Sequence, residues 1–191
     1  EKLIQIKFPS ELWPSQKAAV AEGLLDNTFD CWGMAAPTGT GKTFLARLLI
    51  ISTIQTNENA KVLYIVPSKA LVHEVSGDLE KAFSSLSIKV MAVSAQLTSL
   101  DDDSMDEFEK SKILVITPEK ADLLLRLSKN LLENVALVVV DEAHHIEAGT
   151  RGVLLELYLW RLKKMLPLKT RYIFLSAVAP NIADLTNWLG E

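Results

Sequence analysis

Ala36-Pro37-Thr38-Gly39-Thr40-Gly41-Lys42-Thr43 lies between an apolar run, Cys31–Met34, and a longer stretch with helical periodicity, 43–56. A short strand that turns through two spaced glycines into a helix is the setting a phosphate-binding loop requires. Gly39 and Gly41 allow the sharp turn, so that successive backbone N–H groups converge on a phosphate chain. In such a loop Lys42 brings a compact positive charge to the β- and γ-phosphates, and the Thr43 hydroxyl is placed to ligate Mg²⁺. Ala36 stands where the first glycine of G-x-x-x-x-G-K-T is usual. The competing interpretation is an ordinary glycine-rich strand–helix turn, which Gly-Lys-Thr alone does not exclude.

A second polar element follows another apolar run. Leu137-Val138-Val139-Val140 leads directly into Asp141-Glu142-Ala143-His144. A carboxylate at the C-terminal end of a buried parallel strand sits where α/β sheets bind ligands. In P-loop enzymes such an aspartate holds the metal, and an adjacent acid can orient and deprotonate the attacking water. By themselves Asp141 and Glu142 could equally be a helix N-cap and a first-turn acid. The phosphate-loop pattern upstream is what favours the chemical role. His144 and His145 are neighbours, His73 is distant, and no His-x-x-x-His or cysteine partner exists, so no structural zinc is expected.

The alternation of short apolar runs and helical stretches continues along the chain. Candidate strands are Cys31–Met34, Val62–Val66, Lys89–Ser94, Ile113–Ile116, Leu137–Val140 and Tyr172–Leu175. Candidate helices lie near 15–26, 43–56, 69–84, 119–129, 152–165 and 181–189, with Pro118 suited to a first turn and Thr117 to a cap. The pattern predicts one α/β domain over 1–191, with a mostly parallel central sheet covered by helices on both faces. The segment 97–111 reads as a solvated acidic loop.

With 49% hydrophobic and 23% charged residues, the 191-residue chain has the balance of a globular protein. No apolar run approaches the roughly 18 to 20 residues needed to span a bilayer, and Glu1–Phe8 lacks the arrangement of a signal peptide. A start at Glu1 suggests a fragment or a processed chain. The single cysteine, Cys31, excludes an internal disulfide and points to a reducing compartment. A soluble, cytoplasmic monomer without a membrane partner is therefore expected. The net charge of −4 is opposite to the basic footprint of most nucleic-acid binders. Six acids lie within residues 101–109, and without them 20 basic residues face 18 acidic ones. Bulk charge thus decides nothing, because backbone amides and helix N-termini can hold phosphates unaided.

Together these segments resemble the first RecA-like lobe of superfamily-two DExH-box helicases, a P-loop NTPase fold, over nearly the whole chain. Leu12-Trp13-Pro14-Ser15-Gln16 is similar to the Q motif, and the phosphate loop has the family's A-x-x-G-x-G-K-T form. Pro67-Ser68-Lys69-Ala70-Leu71 and Thr117-Pro118-Glu119-Lys120 resemble motifs Ia and Ib, Asp-Glu-Ala-His is motif II, and Ser176-Ala177-Val178 stands at motif III. Arg151-Gly152, Ala179-Pro180-Asn181 and Trp188-Leu189-Gly190 resemble the Ski-type branch.

The resemblance implies an ATP-binding lobe of an ATP-dependent helicase or translocase. ATP and Mg²⁺ would be the cofactors, and single-stranded DNA or RNA and a second RecA-like lobe the partners. It assigns adenine recognition to Gln16 and phosphate binding to Thr38, Gly39, Thr40, Gly41, Lys42 and Thr43. Mg²⁺ ligation falls to Thr43 and Asp141, and catalysis to Lys42, Asp141 and Glu142. Nucleic-acid contact is implied for Ser68, Lys69, Thr117, Glu119 and Arg151, and coupling for His144 and Ser176. One departure stands out: motif III usually ends in threonine, and Val178 lacks that hydroxyl. It keeps open an alternative, a non-hydrolysing regulatory or protein-docking module built on a helicase lobe. A P-loop kinase is a third possibility, without an acceptor-site signature to support it.

Overall fold

The computed structural model describes residues 11–26, 29–37, 39–93, 102–127, 132–144, 149–178 and 182–190. Helix α1 (Pro14–Ala21) precedes strand β1 (Cys31–Ala35), which runs through the phosphate loop into α2 (Lys42–Thr56). Then come β2 (Lys61–Ile65), α3 (Lys69–Phe83), β3 (Val90–Ala92), α4 (Asp102–Lys110), β4 (Ile113–Ile116) and α5 (Pro118–Leu127). The chain continues through β5 (Val135–Val140), α6 (Gly149–Met165), β6 (Arg171–Ser176) and α7 (Ile182–Gly190). All six strands are parallel, in the order β1-β6-β5-β2-β4-β3.

Side-chain alternation along the strands builds two cores. Val62, Tyr64, Val115, Leu137, Val139 and Leu175 pack toward α1, α2 and α3. Leu63, Ile65, Leu114, Val138, Val140 and Phe174 pack toward α4, α5, α6 and α7. Strands β2, β4 and β6 are buried along their whole length, which is why their sequences read as nearly continuous apolar runs. The C-terminal ends of all six strands share one edge, and the described residues of the phosphate loop and of motifs Ia, Ib, II and III lie on that edge or at the helix starts beside it, whereas Trp188-Leu189-Gly190 ends α7 near Cys31, at the start of β1.

Two expectations need correction. Helix α1 ends at Ala21, not near residue 26, because Gly23 adopts φ +92° and closes a Schellman cap. The N–H of Leu24 donates to Ala19 O and that of Gly23 to Val20 O, each at 3.1 Å. The acidic segment is not a solvated loop over 102–110, where α4 forms. Its acids Asp106, Glu107 and Glu109 face solvent, while Phe108 is 0% exposed in the core. Buried Lys61, at the head of β2, donates to the carbonyls of Phe108 (2.8 Å) and Glu109 (3.1 Å), and so caps the negative end of α4.

Candidate functional site

The phosphate loop is held at both ends. Ala36 N–H donates to Ser176 O at 3.0 Å, tying the loop's start to β6, and Gly41 is the residue from which α2 begins. Gly39 and Gly41 adopt φ +80° and +83°, the left-handed region that a side chain disfavours. Within the turn, Thr40 Oγ1 donates to Pro37 O at 2.7 Å. Lys42 is 8% exposed, and its ammonium is folded back onto Ala36 O (2.6 Å) and Pro37 O (3.1 Å). Thr43 is exposed. Thr38 lies outside the described residues.

Gln16 is only 3% exposed and joins α1 to this loop. Pro14 occupies the first turn of α1, and Gln16 Oε1 accepts the N–H of Trp13 at 2.9 Å. Its amide nitrogen reaches Gly41 O at 3.5 Å. A Cβ on Gly41 would lie 2.1 Å from Gln16 Nε2, so Gly41 is required by contact as well as by φ. A Cβ on Gly39 would meet nothing within 4 Å, which leaves room above the turn for a ligand.

Two strands across, Asp141 follows β5, with β6 between it and the phosphate loop. Its Oδ1 accepts the N–H of Glu142 at 2.9 Å, and its Oδ2 accepts the hydroxyl of Tyr64 at 2.8 Å. Burial pushes the Asp141 carboxyl above the ordinary carboxylate range; the hydrogen bond from Tyr64 is the largest opposing influence, and the Lys42 charge also acts against the rise. Tyr64 is fully buried, and burial followed by the Asp141 charge holds its phenol well above the usual value. Glu142 adopts φ +51°, a strained conformation for a residue with a side chain. Its Oε2 is shielded from solvent and lies 3.2 Å from His144 Nδ1, close enough for an ion pair with a protonated imidazole but out of line for a hydrogen bond.

The remaining candidates divide. Ser68 caps α3, its Oγ accepting the N–H of Leu71 at 3.3 Å, while Lys69 and Glu119 are exposed and Thr117 is buried. A cleft of about 380 Å³ is lined by Ser68, Leu71, Pro118, Glu119, Asp141 and Glu142, among others. It therefore brings motif Ia and motif Ib residues to the same opening as motif II. The hydroxyl of Ser176 turns to its own loop, donating to Val178 O at 2.5 Å and accepting from Val178 N at 3.2 Å. It makes no bond to residues 141–144, and Val178 is 55% exposed. The Arg151 side chain lies outside the described residues, although its backbone is in α6.

Lys42 and Asp141 offer a cation resting on neutral carbonyls and a carboxylate within reach of its field. With the Thr43 hydroxyl they form a set of hard oxygen donors and positive charge that fits a nucleotide phosphate chain and Mg²⁺.

The model of the DEAD/DEAH box helicases matches residues 13–185. The chain belongs to this family. The ATP-dependent DNA helicase Hel308 of Methanocella arvoryzae is 39% identical over 180 residues, covering 94% of this chain and 24% of that protein. The ATP-dependent DNA helicase MER3 of Saccharomyces cerevisiae is also 39% identical, over 96% of this chain and 15% of its own length. The Hachiman protein HamB of Bacillus cereus is 32% identical over 95% of this chain and 16% of its own. The chain thus spans a quarter or less of the length of these relatives. The crystal structure of the DUF1998 helicase MrfA superposes with a TM-score of 0.70 at 20% identity, covering 95% of this chain and 32% of that one. That likeness supports the RecA-like α/β fold.

Tyr64 belongs to none of the sequence motifs, yet it bonds Asp141. Its one signal is the phenol within Lys61-Val62-Leu63-Tyr64-Ile65, a weak one, because buried tyrosine hydroxyls usually find a partner but those of Tyr158 and Tyr172 have none among the described residues.

Proposed function

We propose that this helicase domain is the ATP-binding first motor lobe of a Ski-type nucleic-acid helicase or translocase, working inside the cell. Residues 1–191 act as one lobe, and a second RecA-like lobe elsewhere in the parent polypeptide completes the motor. The observation that carries this reading is the placement of Lys42 and Asp141 on either side of β6, at the C-terminal ends of β1 and β5, with Lys42 held on Ala36 O and Pro37 O. Gln16 selects adenine, the backbone of 38–43 and the Lys42 ammonium bind the phosphates, and Thr43 and Asp141 hold Mg²⁺. The metal, when bound, neutralises charge on the phosphate oxygens.

Glu142 takes the proton of a water whose oxygen bonds to the γ-phosphorus, as the bond from that phosphorus to the ADP oxygen breaks. Ser68, Lys69, Thr117, Glu119 and Arg151 track the backbone of single-stranded nucleic acid, and His144 and Ser176 relay the nucleotide state. An arginine finger from the second lobe would supply a factor of roughly 10³ to 10⁵ in rate, so the lobe alone binds ATP and scarcely turns it over.

One observation favours a regulatory module instead. Ser176 spends its hydroxyl on Val178, and Val178 has no hydroxyl to add. ATP hydrolysis by the full-length protein, with no polymer, single-stranded DNA or single-stranded RNA, separates the two beside Lys42→Ala. Strong stimulation by one polymer, lost in the variant, is the expected result. No stimulation, with the variant matching the parent, overturns the motor reading in favour of the module.

A further inference from the structure

The motif residues carry the chemistry proposed above, yet among the described residues the one side chain that bonds the Asp141 carboxylate comes from β2 and from none of the motifs. Tyr64 pairs in register with Val139, and Asp141 lies two residues beyond Val139, just past the end of β5, where its N–H still donates to Ile65 O at 2.9 Å and continues the ladder. The two-residue alternation of a strand therefore turns Tyr64, Val139 and Asp141 to the same face. That face is the one covered by α2, whose first turn holds Lys42 and Thr43. The phenol is 0% exposed, and its hydroxyl meets Asp141 Oδ2 at 2.8 Å.

We infer that Tyr64 is a positioning residue for Asp141: it fixes the carboxylate in the orientation that ligates the nucleotide's metal ion. The inference rests on the proposed ATP-binding role of this site. Each carboxylate oxygen has two acceptor directions. Oδ1 uses one for Glu142 N–H and Oδ2 uses one for Tyr64, so one direction remains on each for a cation. Two donors from different elements lock the rotation of the carboxylate about its last bond. Without the phenol hydroxyl, the adjacent backbone N–H is the one remaining restraint among the described residues, and the carboxylate is freer to rotate about its last bond. Partners of this kind, which orient metal ligands without touching the metal, typically matter by 10- to 100-fold in metal affinity.

The test uses the full-length protein and its Tyr64→Phe variant, which keeps the ring and its packing and removes one oxygen. A fluorescent non-hydrolysable ATP analogue is titrated without divalent ions and then against Mg²⁺, beside a thermal melt. The expected result is unchanged metal-free affinity and a Mg²⁺ midpoint raised about tenfold. In an Asp141→Asn background, Tyr64→Phe should then add less than twofold, because the ligand it orients is gone. A Mg²⁺ midpoint that stays within twofold of the parent overturns the inference. So does an equal loss of affinity with and without Mg²⁺, which would mean packing alone, or an undiminished effect on top of Asp141→Asn. If the parent itself binds no nucleotide, the ATP reading falls and takes this inference with it. Nucleotide binding with an unmoved midpoint overturns only the role of Tyr64.

Discussion

Gly41→Ala probes the contact that joins α1 to the phosphate loop. Two costs add at this position. An alanine at φ +83° carries the left-handed backbone penalty of about 1–2 kcal/mol. Its Cβ would also lie 2.1 Å from Gln16 Nε2, so the buried glutamine must leave its place. In leaving, Gln16 gives up the hydrogen bond from Trp13 N–H, a loss of about 1 kcal/mol. The expected destabilisation is therefore about 2–3 kcal/mol. Gly39→Ala is the internal control, because φ is nearly the same, +80°, and nothing lies within 4 Å of its Cβ. It should cost only the backbone penalty. Equilibrium urea unfolding of both variants, and of Gln16→Ala alone and combined with Gly41→Ala, isolates the contact as a double-mutant cycle. The combined variant should cost about 1 kcal/mol less than the sum of the two single changes. The reasoning is refuted if Gly41→Ala costs no more than Gly39→Ala, or if the two changes simply add.

Phe108→Ala should destabilise the protein by about 3–5 kcal/mol, as the loss of a fully buried ring does, whereas Asp106→Asn on the exposed face of α4 should stay within about 0.5 kcal/mol; urea midpoints decide whether α4 belongs to the core. Burial pushes the Cys31 thiol up to about 12, against the pull of the Lys163 charge. Raised this far, the group stays protonated until the pH nears that value, so alkylation by iodoacetamide should be far slower than for a free cysteine at pH 8.5 and should show no inflection between pH 7 and 9. A fast, ordinary thiol titration in that range contradicts the burial. Glu142→Gln should retain ATP affinity within a few fold and lower nucleic-acid-stimulated hydrolysis by about 10²- to 10⁴-fold; comparable loss in both would reassign Glu142 to ligand binding.

Much of the fold was legible because the strands are short and covered on both faces. Ile113–Ile116 is the clearest case: four aliphatic residues, all buried, appear as one strand with its predicted bounds. The interior starts of β2 and β6 were hidden by charge. Lys61 and Arg171 look like solvent-facing boundaries, yet both are buried, Lys61 on α4 carbonyls and Arg171 on Leu24 O (2.9 Å) and Phe29 O (3.1 Å). Long side chains that satisfy distant carbonyls carry no local signature. The acidic segment misled for a related reason. Composition over 101–109 is that of a solvated run, but Met105 and Phe108 are three residues apart, and one helical face is enough to anchor α4.

At the site, the same division follows from what each residue must satisfy. Gly39, Gly41 and Lys42 are constrained by their own stretch of backbone, so their spacing announces a phosphate loop before any tertiary contact is known. Ser176 and Tyr64 are constrained by partners that only the assembled sheet specifies. For Ser176 the resemblance implied coupling; its hydroxyl closes on Val178, while its backbone carbonyl receives Ala36 N–H. The bond between Tyr64 and Asp141 spans 77 positions of sequence, and it forms because β2 and β5 are neighbours in a particular register. A shift of β2 by one residue would turn Tyr64 to the α5 and α6 face and leave Asp141 with only a backbone donor. A tyrosine in an apolar strand does not itself announce a partner, since the buried hydroxyl of Tyr172 in β6 has none among the described residues; strand order and register decide whether one is met, and neither is written in the strand itself.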